Sequence, residues 1–218
     1  MKKIIGLLFV FTFLSCRPTY YATTTSNELL DIEKEKDTNA LVNVKRYSRD
    51  LVFDMKYATA DNFLKKKVYP CEVCLLRVKT VKKLLQANKE FLEKGYRIKL
   101  FDCYRPIAIQ KEMWKLVPNS NYVANPKTGS MHNKGNAIDV TLVDLNGVEL
   151  PMGTAFDYFG EEAKHSYQNL PDTVIANRKW LKLVMEKNNF SSLNTEWWHY
   201  SLKGSKSDKV SNQKWECP

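Results

Sequence analysis

The chain has 218 residues, of which 44% are hydrophobic and 27% charged, a balance typical of a globular domain with a substantial core. Its formal net charge is +10, from 34 Lys and Arg against 24 Asp and Glu. The basic residues are scattered and form no stripe with aromatic residues, which argues against nucleic acid as a partner. A solvated surface is the simplest interpretation of the charge, and an anionic neighbourhood such as cell-wall polymer or lipid headgroups is the alternative.

The N-terminal segment has the pattern of a secretory signal. Two lysines precede an apolar run over residues 4–14, which is too short for a permanent membrane-spanning helix. Cys16 follows a small residue as in a bacterial lipobox, with Phe13 where leucine is usual. We therefore expect a signal peptide over residues 1–15 and acylation of Cys16. The product would be an exported, membrane-anchored lipoprotein of the periplasm or cell surface. The alternative is an ordinary cleaved signal peptide.

Composition also predicts where the folded domain lies. Residues 16–41 are polar and are predicted as a tether, and residues 205–218 as a polar C-terminal tail. The domain is predicted over residues 42–204.

Four cysteines lie beyond Cys16: Cys71, Cys74, Cys103 and Cys217. The first two form a C-x-x-C, but no second pair stands at zinc-ribbon spacing, which argues against a structural zinc site. In an exported protein we expect a disulfide between two of the first three cysteines. The sequence leaves its pairing open.

Helical and extended patterns alternate inside the domain. Apolar residues at helical spacing predict a helix over residues 78–92, and Gly95 is a natural stop. Further elements are predicted as a strand over 97–102, a helix over 107–117 ended by Pro118, a strand over 137–143, a helix around 180–185 and a strand over 197–202. Helices flanking a small antiparallel sheet give the α+β class.

Two acid-bearing clusters contain two of the three histidines. His132 precedes a turn-like segment, and Asp139 lies in the following strand, where a buried carboxylate needs a cation or several donors. Glu196 and His199 stand at the start of the last strand. Two imidazoles and one carboxylate with a fourth position open are a usual catalytic zinc set, so His132, Asp139 and His199 are candidate ligands. Glu196 is then free to act as general base on the attacking water.

Spacing alone leaves other interpretations of the histidines open. His132 could be a surface-loop residue, and His199 could be a hydrogen-bonded strand residue without a metal. His165 lies in a charged stretch and is expected to be solvated.

Arg105 is a candidate for anion binding. It follows a predicted strand, and Pro106 restricts it to extended geometry. A rigidly held guanidinium suits a bound anion or a developing oxyanion. From the sequence alone, a surface arginine paired with Asp102 is the favoured alternative.

Three motifs, taken in order, resemble those of the D-alanyl-D-alanine dipeptidases of the vancomycin-resistance type. They are Y-R-P over residues 104–106, S-x-H-x-x-G-x-A-x-D over 130–139 and E-W-W-H over 196–199. Residues 56–63 and 151–157 are also similar, so the resemblance spans roughly residues 50–202.

The resemblance implies a zinc peptidase that hydrolyses D-alanyl-D-alanine or a similar free dipeptide. It implies one Zn²⁺ per chain, held by His132, Asp139 and His199. Glu196 would be the general base, and Arg105 would stabilise the tetrahedral oxyanion.

The resemblance also implies how the substrate is held. Asp157 would pair with the free ammonium, with Ser130 beside it, which explains a requirement for a free N-terminus. Export departs from the cytoplasmic members of the family and leaves two alternatives. One is a D,D- or L,D-carboxypeptidase that trims peptidoglycan stem peptides, and the other is a non-catalytic zinc module that binds the cell wall. A disulfide at Cys103 could stiffen the pocket.

Overall fold

The structure is a computed structural model that describes residues 29–120 and 122–217. The predicted signal peptide over residues 1–15 and the acylation site Cys16 lie outside the described residues. Within those two ranges, no helix has both the length and the apolar character that crossing a bilayer requires.

Besides short 3-10 helices, the described residues form three α-helices and seven β-strands. Their bounds are β1 Leu41–Asn43, β2 Val52–Phe53, β3 Leu75–Arg77, α1 Val78–Leu92, β4 Tyr96–Asp102, α2 Ile107–Leu116, β5 Ala137–Asp144, α3 Asp172–Lys187, β6 Phe190–Leu193 and β7 Glu196–Leu202. The main sheet has the order β2-β4-β5-β7-β6, and β1 pairs with β3 in a second, two-stranded sheet. All pairs are antiparallel except β2 with β4. The predicted α+β class is confirmed, with one parallel pair at the sheet edge.

The central strand β5 is buried along almost its whole length. Ile138, Val140 and Leu142 belong to the same apolar cluster as Leu84 and Phe91 of α1. Because successive side chains of a strand point to opposite faces, Asp139 lies on the other face. The sheet therefore presents the Asp139 carboxylate on the face opposite Ile138, Val140 and Leu142.

Residues 29–41 and 205–217, the described parts of the predicted tether and tail, pack onto the domain, which differs from their prediction as polar flanking segments. Ile32 is buried in the core, and β1 already begins at Leu41. At the other end a disulfide joins Cys71 to Cys217, and Trp215 packs against the core. These apolar and covalent contacts outweigh the polar composition of both segments.

A second disulfide joins Cys74 to Cys103, so the expected bond within the first three of these cysteines is confirmed. It connects the residue before β3 to the residue after β4. The Cys71–Cys217 bond closes a stretch of 146 residues, and cross-links over long stretches restrict the unfolded chain most.

His165 differs from its prediction as a solvated side chain. Its Nε2 atom is buried and has no hydrogen-bond partner among the described residues, and its ring centroid lies 6.3 Å from that of Tyr200. Burial, together with the positive charges of Lys182 and Arg178, lowers the pKa of His165 to about 4. The folded protein therefore keeps this imidazole neutral.

We expect the neutral His165 to make folding sensitive to acid. Between an unfolded pKa of about 6.5 and the folded pKa, the unfolded chain binds more protons, so the free energy of unfolding falls as the pH falls. We expect the free energy of unfolding to fall less between about pH 7 and about pH 4.5 in His165→Gln than in the wild type, because glutamine does not titrate. Urea unfolding at the two pH values measures both falls. Equal losses in the two proteins would contradict this assignment.

Candidate active site

A cleft of about 960 Å³ opens where β5 and β7 pair. Every site residue predicted from the sequence that the structure describes lines this cleft: Arg105, Ser130, His132, Asp139, Asp157, Glu196 and His199. The predicted residues therefore form one site, although their positions in the chain span more than 90 residues.

The sheet and one tight turn place the three candidate ligands. Asp139 and His199 are direct partners in the β5–β7 ladder, so their side chains are neighbours on one face. His132 opens a short 3-10 helix just before β5, and Gly135 ends that helix with a φ of 70°. A Cβ at Gly135 would also meet a methyl group at the end of the Leu41 side chain, which would have to move. The positive φ is therefore the main reason for a glycine in the H-x-x-G motif.

The three potential ligand atoms converge. His199 Nδ1 lies 3.0 Å from Asp139 Oδ1, His132 Nε2 lies 3.2 Å from His199 Nδ1, and His132 Nε2 lies 3.4 Å from Asp139 Oδ1. Tetrahedral zinc with bonds of about 2.0–2.1 Å sets its ligands roughly 3.3 Å apart. These separations therefore fit a single zinc ion.

The outer hydrogen bonds of both imidazoles direct their lone pairs inward. The carbonyl of Cys103 lies 2.7 Å from His132 Nδ1 and can only accept, so Nδ1 carries the proton and Nε2 offers a lone pair. His199 Nε2 lies 3.0 Å from the Ser201 hydroxyl, which can accept the Nε2 proton and leave Nδ1 free. In these tautomers two lone pairs and a carboxylate face one another, an arrangement that a bound cation would stabilise.

The charges at the site support the same conclusion. Burial raises the pKa of Asp139, but the charge and hydrogen bond of His132 in its protonated form outweigh burial, so the pKa of Asp139 is lowered. Burial lowers the pKa of His132, but the carboxylates of Asp139 and Asp102 outweigh it, so its pKa is raised. The pocket therefore stabilises positive charge next to Asp139.

Glu196 lies beside the ligand cluster. Its Oε2 atom is 4.0 Å from Nδ1 of His199, and its side chain is 19% exposed. Burial raises the pKa of Glu196, and the carboxylate of Asp139 adds to the increase. A carboxylate whose pKa is raised from its ordinary value is a stronger proton acceptor, as a general base requires.

Arg105 is paired with Asp102, as the favoured alternative predicted, yet it is buried and not on the surface. One terminal nitrogen of its guanidinium lies 2.6 Å from Asp102 Oδ2, and the other donates to Gln110 at 3.1 Å. Asp102 also accepts from the hydroxyl of Tyr69 at 2.6 Å. The guanidinium lies 5.2 Å from the ring centre of Tyr57, and its Nε has no partner among the described residues. The guanidinium lines the cleft and is held in place, so its positive charge is available to an oxyanion bound there.

Asp157 and Ser130 line the same cleft. The hydroxyl of Tyr57 lies 3.0 and 3.1 Å from the two carboxylate oxygens of Asp157. Burial raises the pKa of Asp157 well above its ordinary value, and repulsion from Asp139 adds to this. A cation beside Asp157 would remove that penalty. The Ser130 hydroxyl donates to Asn133 Oδ1 at 3.1 Å.

Several supporting residues were not singled out from the sequence. Tyr57 lies within the 56–63 segment, but nothing there showed that it would reach Asp157, 100 residues away. Ser201 stands two residues after His199 on one strand, and that spacing was the available signal for a shared face.

Comparisons with known proteins agree with one another. Residues 37–217 match the family described as D-ala-D-ala dipeptidase. The chain is 34% identical over 166 residues to the D-alanyl-D-alanine dipeptidase of Escherichia coli, covering 76% of this chain and 86% of that protein. It is 34% identical over 175 residues to the D-alanyl-D-alanine dipeptidase of Enterococcus faecium, covering 69% and 85%.

A solved structure is similar at a greater distance. It is a mutant of the vancomycin-resistance D,D-pentapeptidase VanY in complex with Zn(II), with 15% identity and a TM-score of 0.39. The match covers 60% of this chain and 74% of that chain.

Proposed function

We propose, because this chain belongs to the D-alanyl-D-alanine dipeptidase family, that it hydrolyses D-alanyl-D-alanine or a similar free dipeptide with one Zn²⁺ and a glutamate base. Membership of the family makes the chain a peptidase. The observation that carries the finer proposal is the convergence of His132, Asp139 and His199, whose ligand atoms lie 3.0–3.4 Å apart beside Glu196.

His132, Asp139 and His199 would hold the metal. Two nitrogens and one carboxylate oxygen, with a fourth position left open, are the donor set of many catalytic zinc sites. When bound, Zn²⁺ would lower the pKa of a water molecule and polarise the scissile carbonyl.

Glu196 and Arg105 would perform the remaining chemistry. Glu196 would take a proton from the attacking water and pass it to the leaving amine, for which its raised pKa suits it. Arg105 would donate to the oxyanion of the tetrahedral intermediate. Because Asp102 and Gln110 hold the guanidinium in place, little reorganisation is needed when that charge develops.

Asp157 would select the substrate by its ammonium group. The Asp157 carboxylate is desolvated and accepts a hydrogen bond from Tyr57, and a bound ammonium would supply the positive partner charge that stabilises its ionised form. An N-acylated peptide has no such charge. This contact would restrict the enzyme to free dipeptides.

The volume of the cleft favours a second candidate, a carboxypeptidase that trims peptidoglycan stem peptides. About 960 Å³ is at the upper end of small-molecule pockets and exceeds what two alanine residues fill. A non-catalytic zinc module that binds the cell wall is the third candidate. Stoichiometric zinc binding without hydrolysis would favour it.

Release of D-alanine from D-alanyl-D-alanine, compared with its N-acetylated form, separates these candidates. We expect the zinc-loaded wild type to cleave only the free dipeptide. In Asp157→Asn, loss of a charge-assisted contact should lower kcat/KM for the free dipeptide by about 10–100-fold. Asp172→Asn, an exposed change in the first turn of α3, is the matched control. Equal or faster cleavage of the blocked dipeptide by the wild type would identify a carboxypeptidase.

Export and anchoring through acylated Cys16 remain part of the proposal. Two disulfides among the described residues support an oxidising compartment, because such bonds are rare in the cytosol. The membrane would then be a partner through the lipid anchor, with cell-wall peptides as the source of substrate.

A further inference from the structure

Residues 103–105, which follow β4, contact His132 and carry Arg105, two parts of the site. Asp102 is the last residue of β4, and Cys103, Tyr104 and Arg105 continue beyond the sheet. The ladder between β4 and β5 is irregular between Leu100 and Asp102. The regular sheet therefore ends before the segment that carries the arginine.

Cys103 is in direct contact with a candidate metal ligand. Its carbonyl accepts from Nδ1 of His132 at 2.7 Å, which fixes the tautomer and the orientation of that ring. The backbone N–H of Arg105 donates in turn to the carbonyl of His132 at 3.1 Å. The position of residues 103–105 thus determines where His132 lies.

The same segment orients the arginine. The Asp102 carboxylate binds the Arg105 guanidinium through Oδ2, at 2.6 Å, and accepts from the backbone N–H of Cys103 through Oδ1, at 2.9 Å. A shift of Cys103 would therefore move the imidazole and the guanidinium together.

A covalent bond ties this segment to the neighbouring sheet. Cys103 is fully buried and is bonded to Cys74, which is 1% exposed and directly precedes β3. Beside the disulfide, the N–H of Tyr104 donates to the carbonyl of Leu75 at 3.0 Å. The disulfide is the strongest link between residues 103–105 and the two-stranded sheet.

We propose that the Cys74–Cys103 disulfide is a positioning element of the active site, which holds the Cys103 carbonyl against His132 and Asp102 against Arg105. The inference rests on the proposed function for the role of these two groups. Neither cysteine touches substrate in this proposal, and both act through the residues that they hold.

The test compares two variants that each lack one disulfide. In Cys74→Ala/Cys103→Ala we expect the dissociation constant for Zn²⁺, measured against a chromophoric chelator, to rise about 10–100-fold. We also expect kcat for D-alanyl-D-alanine to fall while KM changes little. The control, Cys71→Ala/Cys217→Ala, removes the disulfide that joins the C-terminal segment to Cys71. Its zinc dissociation constant should stay within about threefold of the wild type, because it leaves the contact between Cys103 and His132 in place.

Wild-type zinc affinity in Cys74→Ala/Cys103→Ala would overturn the proposal. If that variant does not fold, Cys74→Val/Cys103→Ala refills the buried volume. If neither variant folds while the control does, the disulfide serves stability alone, which would also overturn the proposal. The zinc measurement keeps its meaning if the wild type proves inactive on D-alanyl-D-alanine. In that case the proposed function fails and the positioning role is still decided.

Discussion

Replacement of Glu196 by glutamine is expected to lower kcat for D-alanyl-D-alanine by about 10²–10⁴-fold, the contribution typical of a positioned general base. The amide has nearly the same shape as the carboxylate but cannot accept the proton of the attacking water. Zinc should stay bound, because Glu196 is not one of the three converging ligands. Steady-state kinetics on zinc-loaded protein, together with metal analysis of the same sample, measure both quantities.

Glu161→Gln is the matched control for this change. Glu161 lines the rim of the same cleft, but it is exposed and pairs with Lys164. It should retain wild-type turnover and zinc content. A Glu196→Gln enzyme with wild-type kcat would show that another group removes the proton.

Replacement of Arg105 by alanine should reduce both activity and stability. Loss of one well-placed oxyanion donor lowers kcat by about 10²–10³-fold. Asp102, which is fully buried, would also lose its charged partner at 2.6 Å, and breaking a buried pair in this way costs about 3–5 kcal/mol of unfolding free energy. Kinetics and urea unfolding of the zinc-loaded protein measure the two effects.

Arg105→Lys separates these effects. A lysine can return a positive charge to Asp102 and so recover much of the stability, but it lacks the planar fork that reaches Asp102, Gln110 and an oxyanion together. We expect the lysine variant to have a free energy of unfolding close to that of the wild type and a low kcat. Full activity in the lysine variant would contradict oxyanion stabilisation by the guanidinium and leave Arg105 a structural role.

The sequence predicted the local elements well because their signals are local. The helix over residues 78–92 and the strand that contains Asp139 were predicted from periodicity, and the structure has both. Residue chemistry and the resemblance together selected seven site residues, and all of them line one cleft. What brings Asp139 opposite His199 is the register of two strands 60 residues apart, which local periodicity does not contain.

The differences arose where a distant contact outweighed local composition. The segment before Trp215 is rich in Ser and Lys and was predicted as a polar C-terminal tail, yet a disulfide at Cys217 joins it to the domain. His165 stands among charged residues, but the surrounding fold buries the Nε2 atom of its ring. The sequence left Arg105 with two interpretations, an anion-binding residue or a surface arginine paired with Asp102. In the structure Arg105 both pairs with Asp102 and lines the cleft.

The two disulfides differ greatly in the number of residues that must be synthesised between their two cysteines. Cys103 leaves the ribosome soon after Cys74, since 29 positions separate them, whereas Cys71 must wait for a partner 146 positions later. In a chain that enters an oxidising compartment as it is made, the shorter bond can form first and the longer one afterwards. Synthesis that stops before Cys217 would leave Cys71 as an unpaired thiol, able to exchange with other chains.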